Sequence, residues 1–226
     1  MVTLLPEGGV NLFVNLGECI QSTGLEKTVH HGGIFLVGPM LNTDVQIIKN
    51  EVLLLGVQFK PGAFLYFHKY DSLDQAANMF HEFPSKLFPD LKKTIEHFAT
   101  YLDQFYLDRL STPKCSILNC VSDICQNAGS VSIEALAKNH FMTQRQIERQ
   151  FKQQVGLSPK KFADLERFRK AFGMLNTTIK HSIEEIAWEC GYYDHAHMTN
   201  DFKRFTGQPP TAFSLSDFSK VIANES

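Results

Sequence analysis

In the stretch "MTQRQIERQFK" (142–152), Arg145, Glu148, Arg149 and Lys152 fall at the spacing i, i+3, i+4 and i+7. A helix would gather these four on one outward face, with Ile147 and Phe151 pointing the other way. Thr143 is placed to cap that helix, Gln146 to close a capping box, and Met142 with Ile147 to form a hydrophobic staple. Two arginines offered from the first turns of a helix suit the major groove of a duplex. Each guanidinium can make two parallel hydrogen bonds to guanine O6 and N7, and such a pair discriminates between bases by ~1–3 kcal/mol. Most charged helix faces are simply solvated, and this stretch taken alone favours that plainer reading.

Repetition changes the balance. Ser132, Ile133, Glu134 and Ala137 recur as Ser182, Ile183, Glu184 and Ala187, and Phe151, Lys152, Gly156, Pro159 and Phe162 recur as Phe202, Lys203, Gly207, Pro210 and Phe213. The offset grows from 50 to 51 between the two blocks, where a turn can absorb one extra residue. Each unit therefore reads as helix, turn, helix, closed by Gly-x-x-Pro. In the second unit Asp194 caps, Tyr193 and Met198 are placed to staple, and Met198 and Phe202 face inward. The outward positions are Ala196, Thr199, Asn200 and Lys203, with His195 beside them, and none is arginine. Unit two is thus expected to make backbone contacts and softer base contacts. His197 stands open between a phosphate donor and a packed tip.

Between the units lies "PKKFADLERFRKAFGML" (159–175), a helix of ~26 Å at about 1.5 Å per residue. With the width of the units added, it could hold two reading helices about one duplex turn apart, ~34 Å. Lys160, Lys161, Arg167, Arg169 and Lys170 supply positive charge along it. Net charge agrees in sign: residues 1–111 carry 8 basic against 12 acidic side chains, and residues 112–215 carry 13 against 10. A polyanionic partner belongs on the second half.

The first half must position or regulate this pair. Segments 9–17, 33–39, 44–50 and 51–59 are short apolar runs bounded by Gly, Asn and Pro, and read as strands. After "KPGAF" the periodicity turns helical over 73–83 and again over 87–110. The second of these predicts one amphipathic helix with Ile95, Phe98, Leu102, Phe105 and Tyr106 as its apolar stripe. "STPK" (111–114) marks the boundary. The fold class expected is α+β, with a small β-rich domain and following helices over 1–111. An all-α domain over 112–226 follows, with helix-turn-helix units at about 132–155 and 182–206 joined by a linker helix. Further short helices are expected at 115–127 and 210–219.

The composition narrows the alternatives. No apolar run approaches the roughly 20 residues of a membrane helix, and the N-terminus has no signal-peptide pattern, so a cytoplasmic protein is expected. Five cysteines (19, 115, 120, 125 and 190) form no C-x-x-C pair, and small buried thiols are the favoured reading. An enzyme reading would start from Cys19, His30, His31 and Glu51. Adjacent histidines on a strand point to opposite faces, however, so no metal, cofactor or catalytic residue is expected. A protein-interaction module without DNA contact is the remaining rival. It would not require Arg145 and Arg149 to face outward together.

At "SIEEIAWECGYYDHAHMTNDFKRFTGQPPTAF" (182–213), and at Pro159, Phe162, Arg167, Phe168 and Ala171 of the linker, the chain resembles the AraC/XylS family of bacterial transcription regulators. The resemblance covers residues 115–215. It departs from the family pattern at Ala196, where Ser is common, and at Asn200, where Arg is common. It implies that double-stranded DNA is read by Arg145, Glu148 and Arg149 in the first helix and by His195, Ala196 and Asn200 in the second. Lys152, Thr199, Lys203 and His197 are expected on the backbone. "LLPEGGVNLFVNLGE", "FLVGP" and "LLGVQFKPGAF" resemble the β-rich domain of one subfamily, and the start is short against that pattern. By family, this half would take a small-molecule effector or form a homodimer, the regulator would be an activator, and RNA polymerase would be a partner.

Overall fold

The computed structural model describes residues 2–3, 5–22, 28–42, 46–48, 53–111, 117–176 and 181–213. Among the described residues the first half has eight strands: β1 (Val2–Thr3), β2 (Val10–Asn15), β3 (Ile20–Ser22), β4 (Thr28–Val29), β5 (Ile34–Val37), β6 (Gln46–Ile48), β7 (Leu54–Phe59) and β8 (Phe80–Glu82). They form two antiparallel sheets, ordered β1-β6-β3-β4 and β7-β2-β5-β8. Strand β2 is central in the second sheet, with Leu12 opposite Leu36 on one side and Val57 on the other. Leu12, Val14 and Leu36 are fully buried in one core, and Phe13, on the other face of β2, packs against Phe35 at 5.6 Å, so apolar residues occupy both faces of the strand.

The helix expected over 73–83 does not form. Leu73–Ala76 makes a single 3-10 turn, Asn78 turns the chain at φ 56°, and β8 follows. Two interactions override the helical spacing. The Asn78 side chain accepts the Leu41 backbone N–H at 2.7 Å, and asparagine tolerates the left-handed region better than most residues. Phe80 then stacks on Phe35 at 5.1 Å while its strand pairs with the open edge of β5.

The helix expected over 87–110 is two helices, α1 (Leu91–Glu96) and α2 (Phe98–Leu107), parted at His97, whose φ and ψ are −138° and 51°. Its apolar stripe turns inward in part: Phe105 is buried, and Tyr106 lies edge-on to Phe59 and Phe67 at 5.5 Å. Phe105 is therefore part of the core. The side chains of Ile95 and Phe98 lie outside the described set.

His68 sits in this aromatic cluster, stacked on Phe64 at 4.8 Å and edge-on to Phe83 at 5.4 Å. Burial first, and the Arg109 charge second, lower its pKa from 6.5 to about 4. The folded imidazole stays neutral where the unfolded one takes a proton. Stability from this site is therefore whole above pH 6.5 and declines as pH falls towards 4. Thermal melts of the wild type and His68→Leu across that window check this. The wild type should lose more stability than the variant, and parallel curves would contradict the assignment.

The second half is helical: α3 (Leu118–Gln126), α4 (Ile133–Asn139), α5 (Gln144–Gln154), α6 (Pro159–Leu175), α7 (Ile183–Glu189) and α8 (His195–Thr206). Of the segment expected to be helical over 210–219, Pro210–Ala212 is a 3-10 turn and 214–219 lie outside the described residues. Gly156 and Gly207, at φ 83° and 73°, reverse the chain after α5 and α8. The linker α6 supplies core residues to both units. Phe162 meets Phe151 of the first at 5.9 Å, and Phe168 meets Phe202 and Phe205 of the second at 4.9 and 4.8 Å. A helix buried at both ends cannot swing freely between the units, and this fixes their spacing.

The β-rich half packs directly on the first unit. Leu5, Leu41 and Ala77 lie against the helical core. The Leu73–Ala76 turn lies on α5, and the Gln153 amide donates to the Asp71 carbonyl at 3.5 Å. At Gly156 a side chain would come within 2.7 Å of the Leu73 carbonyl oxygen and of Pro39, so this close approach requires glycine. No helix among the described residues is long and apolar enough to cross a membrane.

Candidate nucleic-acid interface

The N-terminus of α5 is built as its sequence demands. The Thr143 hydroxyl accepts the Gln146 N–H at 3.2 Å, and the Gln146 side-chain oxygen accepts the Thr143 N–H at 2.7 Å. Ile147 and Phe151 are fully buried, and Met142 packs partly against the core that holds them. Arg145, Glu148, Arg149 and Lys152 are all exposed. Among the described residues no salt bridge engages them. The first unit thus presents two arginines, a glutamate and a lysine on one outward face of a firmly capped helix.

In α8, Asp194 caps by accepting the His197 N–H at 2.7 Å, and Met198 and Phe202 are fully buried. His195, Ala196, Asn200 and Lys203 are exposed. Thr199 is half-buried, and its hydroxyl donates to the His195 carbonyl at 2.8 Å. His197 is exposed, its ring perpendicular to that of Tyr192 at 5.2 Å. Tyr193 does not staple: it is 91% exposed, and Tyr192 is the buried aromatic. The reason lies in the turns. Met142 N–H donates to Ala137 carbonyl and Tyr192 N–H to Ala187 carbonyl, each at 2.9 Å, so Tyr192 is the counterpart of Met142. The extra residue of unit two is Tyr193 itself.

The linker cations divide. Lys160, Lys161 and Arg169 are exposed. Arg167 is not a solvent-facing charge. It lies 4.0 Å from Asp164, donates to the Gly129 carbonyl at 3.3 Å and sits over the Tyr192 ring. Lys170 donates to the Glu189 carbonyl at 2.8 Å. Arg204 bridges Asp164 of α6 and Asp201 of α8 at 3.3 and 3.0 Å. Burial, with Asp164 adding to it against Arg204, raises the pKa of the Asp201 carboxyl. This group holds α8 to the linker. Sequence spacing could suggest the local Asp201–Arg204 pair, but not Asp164 forty residues away.

Of the residues weighed for metal chemistry, only Cys19 and His30 come together among the described residues. Cys19 Sγ lies 3.2 Å from His30 Nδ1, while His31 Nδ1 lies 3.2 Å from the Gly17 carbonyl oxygen. Glu51 and Cys115 are outside the described residues, and Cys120 and Cys190 are buried. Among the described residues no group of three or more His, Cys, Asp or Glu side chains could hold a metal ion.

Two capped helix-turn-helix units thus share one linker helix. Residues 136–215 match the family model described as "Helix-turn-helix domain". The HTH-type transcriptional activator RhaS of Salmonella arizonae is 36% identical over 77 residues, covering 34% of this chain and 27% of RhaS. The chain thus spans little more than a quarter of the length of the curated relatives it matches. The helical half is thus similar to a helix-turn-helix domain, and the relatives it matches are described as transcriptional activators. Among solved structures, ToxT of Vibrio cholerae superposes with a TM-score of 0.52 at 9% identity, over 93% of this chain and 91% of ToxT. A wild-type ToxT from strain SCE256, described as bound to an unsaturated fatty acid, gives 0.51 at 9%, over 93% and 92%. At such identity the likeness is one of fold: an antiparallel β domain followed by a helical one.

Proposed function

We propose that this chain is a sequence-specific transcription regulator that reads two successive major-groove segments with α5 and α8. One observation carries the reading. Two reading helices with capped N-termini are seated on a single rigid linker whose Phe162 and Phe168 complete both cores. Arg145, Glu148 and Arg149 are assigned to base edges in one segment, and His195, Ala196 and Asn200 to base edges in the next. Phosphate contacts go to Lys152, Lys203 and His197. Thr199 spends its hydroxyl proton inside the helix and has none to give a phosphate. RhaS is described as an activator, which supports that sign here, with RNA polymerase as the partner. The β-rich half is assigned to regulation, through a small-molecule effector or a second copy of the chain. Its direct packing on α5 supports that role. A cytoplasmic location follows from this function.

Hydroxyl-radical footprinting on a bound promoter fragment tests the reading. Two protected stretches on one face of the duplex, about one turn apart, are expected. One isolated patch would leave α8 without a role in reading and contradict it.

A further inference from the structure

Both turns that lead into the reading helices carry an aromatic ring in solvent, placed there by different means. In unit two it is the inserted Tyr193, directly before the cap Asp194. In unit one it is Phe141, two residues before the cap Thr143, and 98% exposed. Phe141 occupies the place that Gly191 holds in unit two. Its N–H donates to the Lys138 carbonyl as that of Gly191 does to the Trp188 carbonyl. Gly191 has φ 73°, and a side chain there would strike Ser130. Phe141 has φ 54°, a left-handed conformation that bulky side chains rarely adopt. Strained backbone of this kind gathers at functional positions. A fully exposed phenyl ring gives the fold no packing in return.

We propose that Phe141 is a further DNA-reading residue, its ring meeting thymine 5-methyl groups and deoxyribose where α5 enters the groove, with the inserted Tyr193 offering a ring from the turn ahead of α8. The inference rests on the DNA reading above. Phenylalanine contacts the thymine methyl in the major groove, where no other base pair presents that group. Reading helices of this kind enter the groove by their N-terminal ends, so the residues just ahead stand at its wall. A ring present in both repeats fits a ligand that itself repeats every turn. A protein partner engaging one face of the chain would call for only one of them.

The test uses Phe141→Gly in the full chain and a duplex carrying the motif that the wild-type protein enriches from a randomised pool. Glycine suits the turn, so the variant should fold with an unchanged or higher melting temperature, by about 2–4 °C. Its affinity should fall about tenfold with no change in salt slope, since no phosphate contact is lost. Replacing the thymines of the first half-site by deoxyuridine should weaken wild-type binding about fourfold for one buried methyl group, and leave the variant unaffected. Equal affinities and equal deoxyuridine effects in the two proteins would overturn the proposal. So would a variant that binds DNA normally but fails to activate transcription with purified polymerase, which would make Phe141 a protein contact. Wild-type protein that binds no duplex specifically removes the DNA reading itself, and is told apart by that wild-type result.

Discussion

Replacing Phe168 by alanine is expected to cost about 3–5 kcal/mol of folding stability. The ring is 1% exposed and packs on three others, Phe172, Phe202 and Phe205, at 4.8 to 5.6 Å. Truncation removes the transfer free energy of the ring, leaves a cavity, and forfeits aromatic pairs worth ~0.5–1.5 kcal/mol each. Against a typical domain stability of about 5–15 kcal/mol this is a large share. The damage should also be uneven. Phe202 and Phe205 belong to α8, whereas the first unit is held by Ile147, Phe151 and Phe162 at the other end of the linker. Chemical denaturation followed by circular dichroism gives the loss, and footprinting shows where it falls. Protection over the second half-site should vanish before that over the first. A loss under about 1 kcal/mol, or equal weakening of both half-sites, would mean that α6 does not build the second unit as described.

The second large effect is on binding rather than folding. Arg145→Ala/Arg149→Ala removes two exposed guanidinium groups from α5, a helix in which alanine is as favourable as arginine or better. Stability should be nearly unchanged. Specific affinity should fall by ~1–3 kcal/mol for each arginine that grips a guanine, and base preference should relax at those positions only. Lys152→Ala is the control. A lysine on a phosphate carries no sequence information, so its loss should weaken all duplexes alike and lower the salt slope by about one. If the double arginine variant behaved as the lysine variant does, the outward face of α5 would be electrostatic only.

The helical half was legible because its signals are local. Thr143 with Gln146, Asp194 at the start of α8, and Gly156 and Gly207 at helix ends each act within a few residues, and all behave as their types require. The linker runs over Pro159–Leu175 as its apolar spacing predicts. The misread positions share a different cause. Phe80–Glu82 became a strand because Phe35 and the edge of β5, far away in sequence, were waiting for it. Tyr193 reads as a staple by its position next to the cap, but one inserted residue shifts which of two adjacent tyrosines turns inward. Arg167 reads as a free linker charge until the fold brings Asp164, Gly129 and Tyr192 around it. At the interface, the spacing of the repeat identifies which residues face outward. It is silent about the side chains that hold α8 in place, since Arg204 reaches Asp164 only across the packed helices.

Selection from a randomised duplex pool by the purified full chain tests the central claim most directly, run beside Arg145→Ala/Arg149→Ala. The expected result is a motif of two half-sites about one turn apart, with one half degraded in the variant and the other intact. Salt-dependent binding that enriches no motif would show only the sequence-independent attraction between basic side chains and phosphates, and would contradict the assignment of α5 and α8 as reading helices.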